Sequence, residues 1–86
     1  ELVSLLHDRR IRVRQETIMA LGRSGQDSGI ASLEPLLADE DPTVRVLTIR
    51  AIGRIGGQRA TELLQGVLDR PGQTQFERAC ARAALP

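Results

Sequence analysis

The sequence repeats itself at a fixed interval. The pair Val13-Arg14 recurs as Val44-Arg45, thirty-one residues later (13 to 44). Further small or apolar residues match at the same interval: Ala20-Leu21-Gly22 with Ala51-Ile52-Gly53, Gly25 with Gly56, and Leu33, Leu36 and Leu37 with Leu64, Val67 and Leu68. A period of this length is typical of stacked repeats, in which neighbouring units cover the apolar face that one unit cannot bury alone. The repeat therefore constrains the architecture strongly and the function weakly.

Each unit is predicted to begin with an amphipathic helix. In the first copy, Val13, Thr17, Ala20 and Leu21 have the spacing of one helix face, and Val44, Thr48, Ala51 and Ile52 repeat it. Asp41-Pro42 offers an N-cap followed by a proline in the first turn. Gly25 and Gly56 fall where a left-handed C-cap is expected, whereas Gly22 and Gly53 lie inside the last turn and indicate close helix packing.

A companion helix follows in each unit. Pro35 interrupts the first companion and predicts a kink or an irregular turn, and Asp27 is its predicted N-cap. A final helix matches with a shift of thirty-two, which places Phe76, Cys80, Ala83 and Ala84 on the core face, after a capping box of Thr74 and Glu77. The predicted division is a partial repeat 1–8, repeats 9–39 and 40–70, and a final helix 73–86, as a piece of a larger protein.

Composition excludes several classes of protein. The net charge is +1, so there is no global field that would favour nucleic acid. All twelve basic residues are arginine, and Phe76 is the only aromatic residue, so the core must be aliphatic. One cysteine excludes an internal disulfide and suits a reducing compartment, and no apolar run is long enough to span a membrane. We expect a cytoplasmic location.

The pattern Val-Arg, Ala-Leu-Gly-x-x-Gly and Leu-x-Pro-Leu-Leu resembles the short bacterial HEAT-like repeats named after phycobilisome lyases. The resemblance covers nearly the whole chain and implies an all-α fold: a short right-handed α-solenoid of antiparallel helix pairs, an armadillo-like superhelix. It also implies structural roles for Arg14 and Arg45, which would bridge to acidic loop residues such as Asp8 or Asp39. Glu77 departs from the family pattern, because arginine is expected there. Ankyrin and tetratricopeptide repeats would need signature residues that this chain lacks.

No residue pattern indicates catalysis, and we predict no catalytic, cofactor-binding or metal-binding residues. Cys80 is interpreted as a core packing residue and His7 as a surface side chain, and together they are too few for a zinc site. Asp39-Glu40-Asp41 could suggest a cation site, but helix capping by Asp39 and Asp41 is favoured. Whether the parent protein is an enzyme is left open, with a noncatalytic role favoured.

The face opposite the core carries the functional hypothesis. It combines apolar side chains with arginines, the composition of a protein-binding surface. The predicted partner-binding residues are Arg12, Met19, Arg23, Val46, Leu47, Arg50, Arg54, Arg78 and Arg82. In repeats of this type the face is concave, and we expect a noncatalytic scaffold that binds an acidic protein or peptide. The alternatives are a fragment of a bilin-lyase-like protein and, less favoured, a nucleic-acid-binding domain. Self-association through the exposed repeat ends is also possible.

Overall fold

The computed structural model describes residues 2–86, and within them it contains helices and no strand. The helices are α1 Leu2–Leu5, α2 Ile11–Ser24, α3 Ser28–Leu33 with a 3₁₀ segment at Glu34–Ala38, α4 Pro42–Ile55, α5 Gln58–Asp69 and α6 Gln75–Ala84. Helices α2, α4 and α6 pack side by side, while α3 with its 3₁₀ segment and α5 cover one side of this row. The all-α prediction of a short α-solenoid is confirmed. Part of the predicted unit 1–8 lies outside the described residues.

The repeat interval reappears in the helix boundaries. Helices α2 and α4 are each 14 residues long, and they begin thirty-one residues apart (11 to 42). Gly25 is confirmed as a left-handed C-cap, at φ 69° and ψ 14°. Gly56 is also the C-cap residue of its helix and has a positive φ of 73°, which favours glycine, but its ψ of −171° lies outside the left-handed helical region. The local sequence therefore ends both helices at equivalent places.

The companion helix of the first unit is irregular, as Pro35 predicted. Helix α3 stops at Leu33, and the 3₁₀ segment continues to Ala38. The predicted cap at Asp27 is wrong, because its side chain makes no capping hydrogen bond. Its backbone is already helical, at φ −56° and ψ −32°, and its carbonyl accepts from Ile30 N. A capping side chain needs an extended backbone at that position.

The core is aliphatic and lies between the two layers. Its fully covered side chains include Ile18, Leu33, Leu37, Val44, Ile49, Ile52 and Leu64. Val13, predicted for the core, is only half-buried, whereas Ile18 and Ile49 are buried although the one-face pattern omitted them. Each row helix packs against a neighbouring row helix as well as against the companion layer, so it has more than one buried face. The prediction of a single apolar face was therefore incomplete.

Two glycines set the distance between the row helices. A Cβ atom on Gly22 would lie 2.9 Å from the Cα atom of Ala51, and one on Gly53 would lie 2.6 Å from the Cβ atom of Ala84. Both separations are too short for a side chain, so glycine is required by the close approach of the helices. The expectation of close packing at these positions is confirmed.

The final helix corrects the predicted shift of thirty-two. Phe76 was placed on the core face, but it is 60% exposed, and the neighbouring Glu77 is fully buried. A shift of thirty-three fits: the capping residue Asp41 matches Thr74 (41 to 74), and buried Val44 matches Glu77. The turn at Pro71–Gly72 therefore adds two residues, not one, which turns the predicted face by about 100°.

Candidate protein-binding surface

Two neighbouring grooves run along the row of helices. The first, of 220 Å³, lies between α2 and α4 and is lined by Met19, Arg23, Leu47, Arg50, Ala51 and Arg54. The second, of 510 Å³, lies between α4 and α6 and is lined by Arg50, Gly53, Arg54, Cys80, Ala83 and Ala84. We call the face that carries both grooves the inner surface.

The two grooves are the same structural position in consecutive repeats. A shift of thirty-one takes Met19 and Arg23 of the first groove to Arg50 and Arg54 of the second. A shift of thirty-three takes Leu47, Arg50 and Ala51 to Cys80, Ala83 and Ala84. Since Arg50 and Arg54 belong to both sets, helix α4 forms the wall that the two grooves share.

The arginines of the grooves have no carboxylate of their own. Arg23, Arg50 and Arg54 are exposed, and within the described residues none of their side chains takes part in an ion pair or a hydrogen bond. Among the residues that the structure describes, the ion pairs lie elsewhere, at Arg10, Arg45 and Arg59. The inner surface therefore presents guanidinium groups that are free to pair with an external anion.

A second set of arginines serves the packing of the repeats. Arg14 donates from Nη1 to the carbonyl oxygen of Asp8 at 3.0 Å, and Arg45 donates from Nη1 to that of Asp39 at 2.7 Å. Arg78 donates from Nη2 to the carbonyl oxygen of Arg70 at 3.1 Å. We call these three the arginine ladder. The acceptors are evenly spaced at 8, 39 and 70, so the two extra residues lie between Arg70 and Arg78.

Arg45 also makes a buried ion pair with Glu77. Its Nε donates to Oε2 at 3.0 Å and its Nη2 donates to Oε1 at 2.9 Å, a bidentate geometry. Gln73 and Thr74 donate to the same carboxylate. The hydrogen bonds from Arg45 foremost, and those with Thr74, hold the pKa of Glu77 below its ordinary value, against the effect of burial. The resemblance implied bridges from Arg14 and Arg45 to acidic loop residues such as Asp8 or Asp39. The structure pairs the arginines with these two residues, through their backbone carbonyls and not their carboxylates, and gives Arg45 the carboxylate of Glu77 in addition.

Arg14 lacks the second half of that arrangement. Its Nε is buried and has no hydrogen-bond partner within the described residues. The reason is visible in the repeat, because Val44 occupies on α4 the position that Glu77 occupies on α6. Among the described residues, Arg45 therefore binds both a backbone carbonyl and a carboxylate of the next row helix, whereas Arg14 binds a backbone carbonyl only.

The remaining predicted structural residues lie at the junction before α4 and on α6. Asp41 accepts from Thr43 N at 2.8 Å, and Asp39 accepts from Asp41 N at 2.9 Å, so both carboxylates bind backbone N–H groups. Cys80 is half-buried, packs against the core and lines the second groove. Within residues 2–86 no cluster of three His, Cys, Asp or Glu side chains could hold a metal ion.

The structure brings together five of the nine predicted partner-binding residues: Met19, Arg23, Leu47, Arg50 and Arg54. Arg12 and Val46 do not line either groove, and Arg78 belongs to the arginine ladder. Arg82 is exposed, although the shift of thirty-three aligns it with buried Ile49 of α4. Ala83 was predicted for the core, but it is exposed and lines the second groove. Counting from the Asp41 and Thr74 caps would have placed it there, since a shift of thirty-three aligns it with Arg50.

The comparisons agree with this architecture. The family model for HEAT repeats matches residues 1–85, so the chain belongs to the HEAT-repeat family. A comparison with curated proteins gives no match. HEAT repeats generally mediate protein–protein interaction or scaffolding. In the described part of the chain, no helix is long and apolar enough to cross a membrane.

Proposed function

We propose that this chain is a noncatalytic protein-binding module whose inner surface binds an acidic segment of a partner. The observation that supports the proposal most directly is the repeated groove: Arg50 and Arg54 line both grooves, and the other lining residues are mostly small or apolar. An arginine beside aliphatic side chains is the setting in which binding energy concentrates at protein interfaces.

The free guanidinium groups define the chemistry of the partner. Within the described residues, Arg23, Arg50 and Arg54 have no internal carboxylate, so no existing ion pair must break when a ligand arrives. Each guanidinium can donate two parallel hydrogen bonds to one carboxylate, a geometry that favours aspartate or glutamate. Leu47, which lines the first groove, and Cys80, which lines the second, add apolar contact that a free anion could not use.

The test is a selection of peptides from a random library displayed on phage, with the chain immobilised. The wild-type chain should enrich peptides that contain several aspartate or glutamate residues. Arg50→Glu reverses the charge at the shared wall and should abolish that enrichment. It should change the free energy of unfolding by less than about 1 kcal/mol, because Arg50 is exposed and unpaired.

Glu62→Arg is the matched control. Glu62 is exposed on α5, in the companion layer, where it pairs only with exposed Arg59. Its charge reversal should leave the enrichment of acidic peptides intact. Enrichment of the same acidic peptides by Arg50→Glu would contradict the proposal, as would a wild-type selection without acidic preference.

A further inference from the structure

Helix geometry places Phe76 on the inner surface, although it does not line either groove. It is the only aromatic residue of the chain, and 60% of it is exposed. The shift of thirty-three aligns it with Thr43, an exposed residue one turn before Leu47. On α6, Phe76, Cys80 and Ala83 have the spacing i, i+4, i+7, which places them along one helix face. Phe76 therefore extends the α6 wall of the second groove towards the start of the helix.

The two walls of the second groove differ in chemistry. The α4 wall is cationic, since Arg50 and Arg54 are four residues apart and project from it about 6 Å apart along the axis. The α6 wall is apolar and consists of Cys80 and Ala83, continued by Phe76. A ligand lying along this groove would meet positive charge on one side and an apolar strip on the other.

We infer that the groove between α4 and α6 binds an acidic amphipathic helix of a partner protein, with Phe76 as its apolar anchor. The inference rests on the proposed function and deepens it. Two carboxylates four residues apart on the partner helix match the spacing of Arg50 and Arg54, because both helices rise equally per residue. Its apolar side chains, about 100° around the helix, face Phe76 and Ala83. Large aromatic side chains are common anchors of interfaces because they bury much area at a small cost in entropy.

The probe is a designed helical peptide with glutamates four residues apart on one side and leucines on the adjacent side. Its dissociation constant for the intact chain is measured by fluorescence anisotropy. Phe76→Ala should weaken binding about tenfold or more, as truncation of an interface anchor does. Gln75→Ala, at the exposed neighbouring position on the same helix turn, is the control and should bind as the wild type does.

Cys80 gives a second readout, because it is the only cysteine and it lines this groove. Bound peptide should slow its reaction with a small alkylating reagent in the wild-type chain. In Arg50→Glu the peptide should give no such protection. Protection also locates the ligand, since Cys80 does not line the groove between α2 and α4.

The outcomes separate the two proposals. If Arg50→Glu abolishes peptide binding while Phe76→Ala binds normally and Cys80 stays unprotected, the acidic-partner function stands and this inference is wrong. A scrambled peptide of equal composition, with its glutamates on opposite sides, should bind at least tenfold more weakly; equal binding overturns the inference. Binding of the chain to anionic phospholipid vesicles, with no binding of the designed peptide, would also overturn the inference.

Discussion

Replacing Glu77 with glutamine should lower the free energy of unfolding by about 2–4 kcal/mol. The substitution keeps the size and shape of the side chain and removes its charge. The carboxylate is 1% exposed and accepts from both Nε and Nη2 of Arg45. A glutamine has one oxygen to offer, so one of those two donors loses its acceptor.

The magnitude follows from what Arg45 retains. Removing one partner of a buried ion pair costs about 3–5 kcal/mol, because an uncompensated charge stays behind. Arg45 is 17% exposed, and its Nη1 keeps the carbonyl oxygens of Asp39 and Glu40 as acceptors. Partial solvation and these two hydrogen bonds reduce the expected cost to about 2–4 kcal/mol.

The assay is a urea titration followed by far-UV circular dichroism, which gives the free energy and its slope. The double variant Arg45→Met/Glu77→Leu completes the test, because replacing both charges with apolar groups of similar volume is often neutral. It should be more stable than Glu77→Gln. A loss below about 0.5 kcal/mol in Glu77→Gln would refute the argument, since ordinary surface substitutions fall in that range. So would full additivity of the Arg45 and Glu77 effects, because residues in direct contact should couple.

Three further predictions rest on the same structure. Hydrogen bonding from Arg45 lowers the pKa of Glu77 below 4.5 in the folded chain, so the ionised carboxylate stabilises the fold above that pH, and this stabilisation is lost as the pH falls through the folded pKa. In urea titrations at several acidic pH values, the free energy of unfolding should therefore fall less steeply with pH in Glu77→Gln than in the wild type. Gly53→Val should destabilise the fold by about 1–3 kcal/mol through overpacking. Gly66→Ala should stabilise it by about 0.4–1 kcal/mol, because a Cβ atom there meets nothing within 4 Å; thermal unfolding measures both. Leu37→Ala should cost about 2–5 kcal/mol, and half-buried Leu68→Ala clearly less; equal losses on denaturation would contradict the packing.

Most of the fold was predictable because the repeat is written twice in the sequence. Val44-Arg45 and the glycines at 53 and 56 have partners at one interval, and each carries a local signal that needs no tertiary information. Ile49 shows the limit of that reasoning. It is fully buried, yet it lies about 140° around the helix from Val44, on the side that packs against α6. A periodicity argument finds one buried face, and a helix inside a stack has more than one.

The register of the final helix, α6, was predicted wrongly for a different reason. Apolar Phe76 matched apolar Val44 better than acidic Glu77 did, so hydrophobicity favoured a shift of thirty-two. The structure resolves the conflict through Arg45, which neutralises Glu77 and makes a charged residue acceptable at a core position. No pattern within a single helix could reveal this, because the neutralising partner lies on α4. Aligning the helix caps at Asp41 and Thr74 gives the correct shift of thirty-three.

The same register separates two kinds of arginine that look alike in the sequence. The arginine ladder at 14, 45 and 78 points back to the preceding junction, where each guanidinium binds a backbone carbonyl. Arg50 and Arg54 lie about 140° and 180° further around α4 than Arg45, so the same helix turns them away from that junction and towards the grooves. In the first set, Arg45 shows how one guanidinium can reach several acceptors at once. In the second set, the side chains of Arg50 and Arg54 have no acceptor within the described residues. The inner surface therefore presents unpaired guanidinium groups beside apolar side chains in consecutive units. Charge reversal on this surface should change binding without changing the fold.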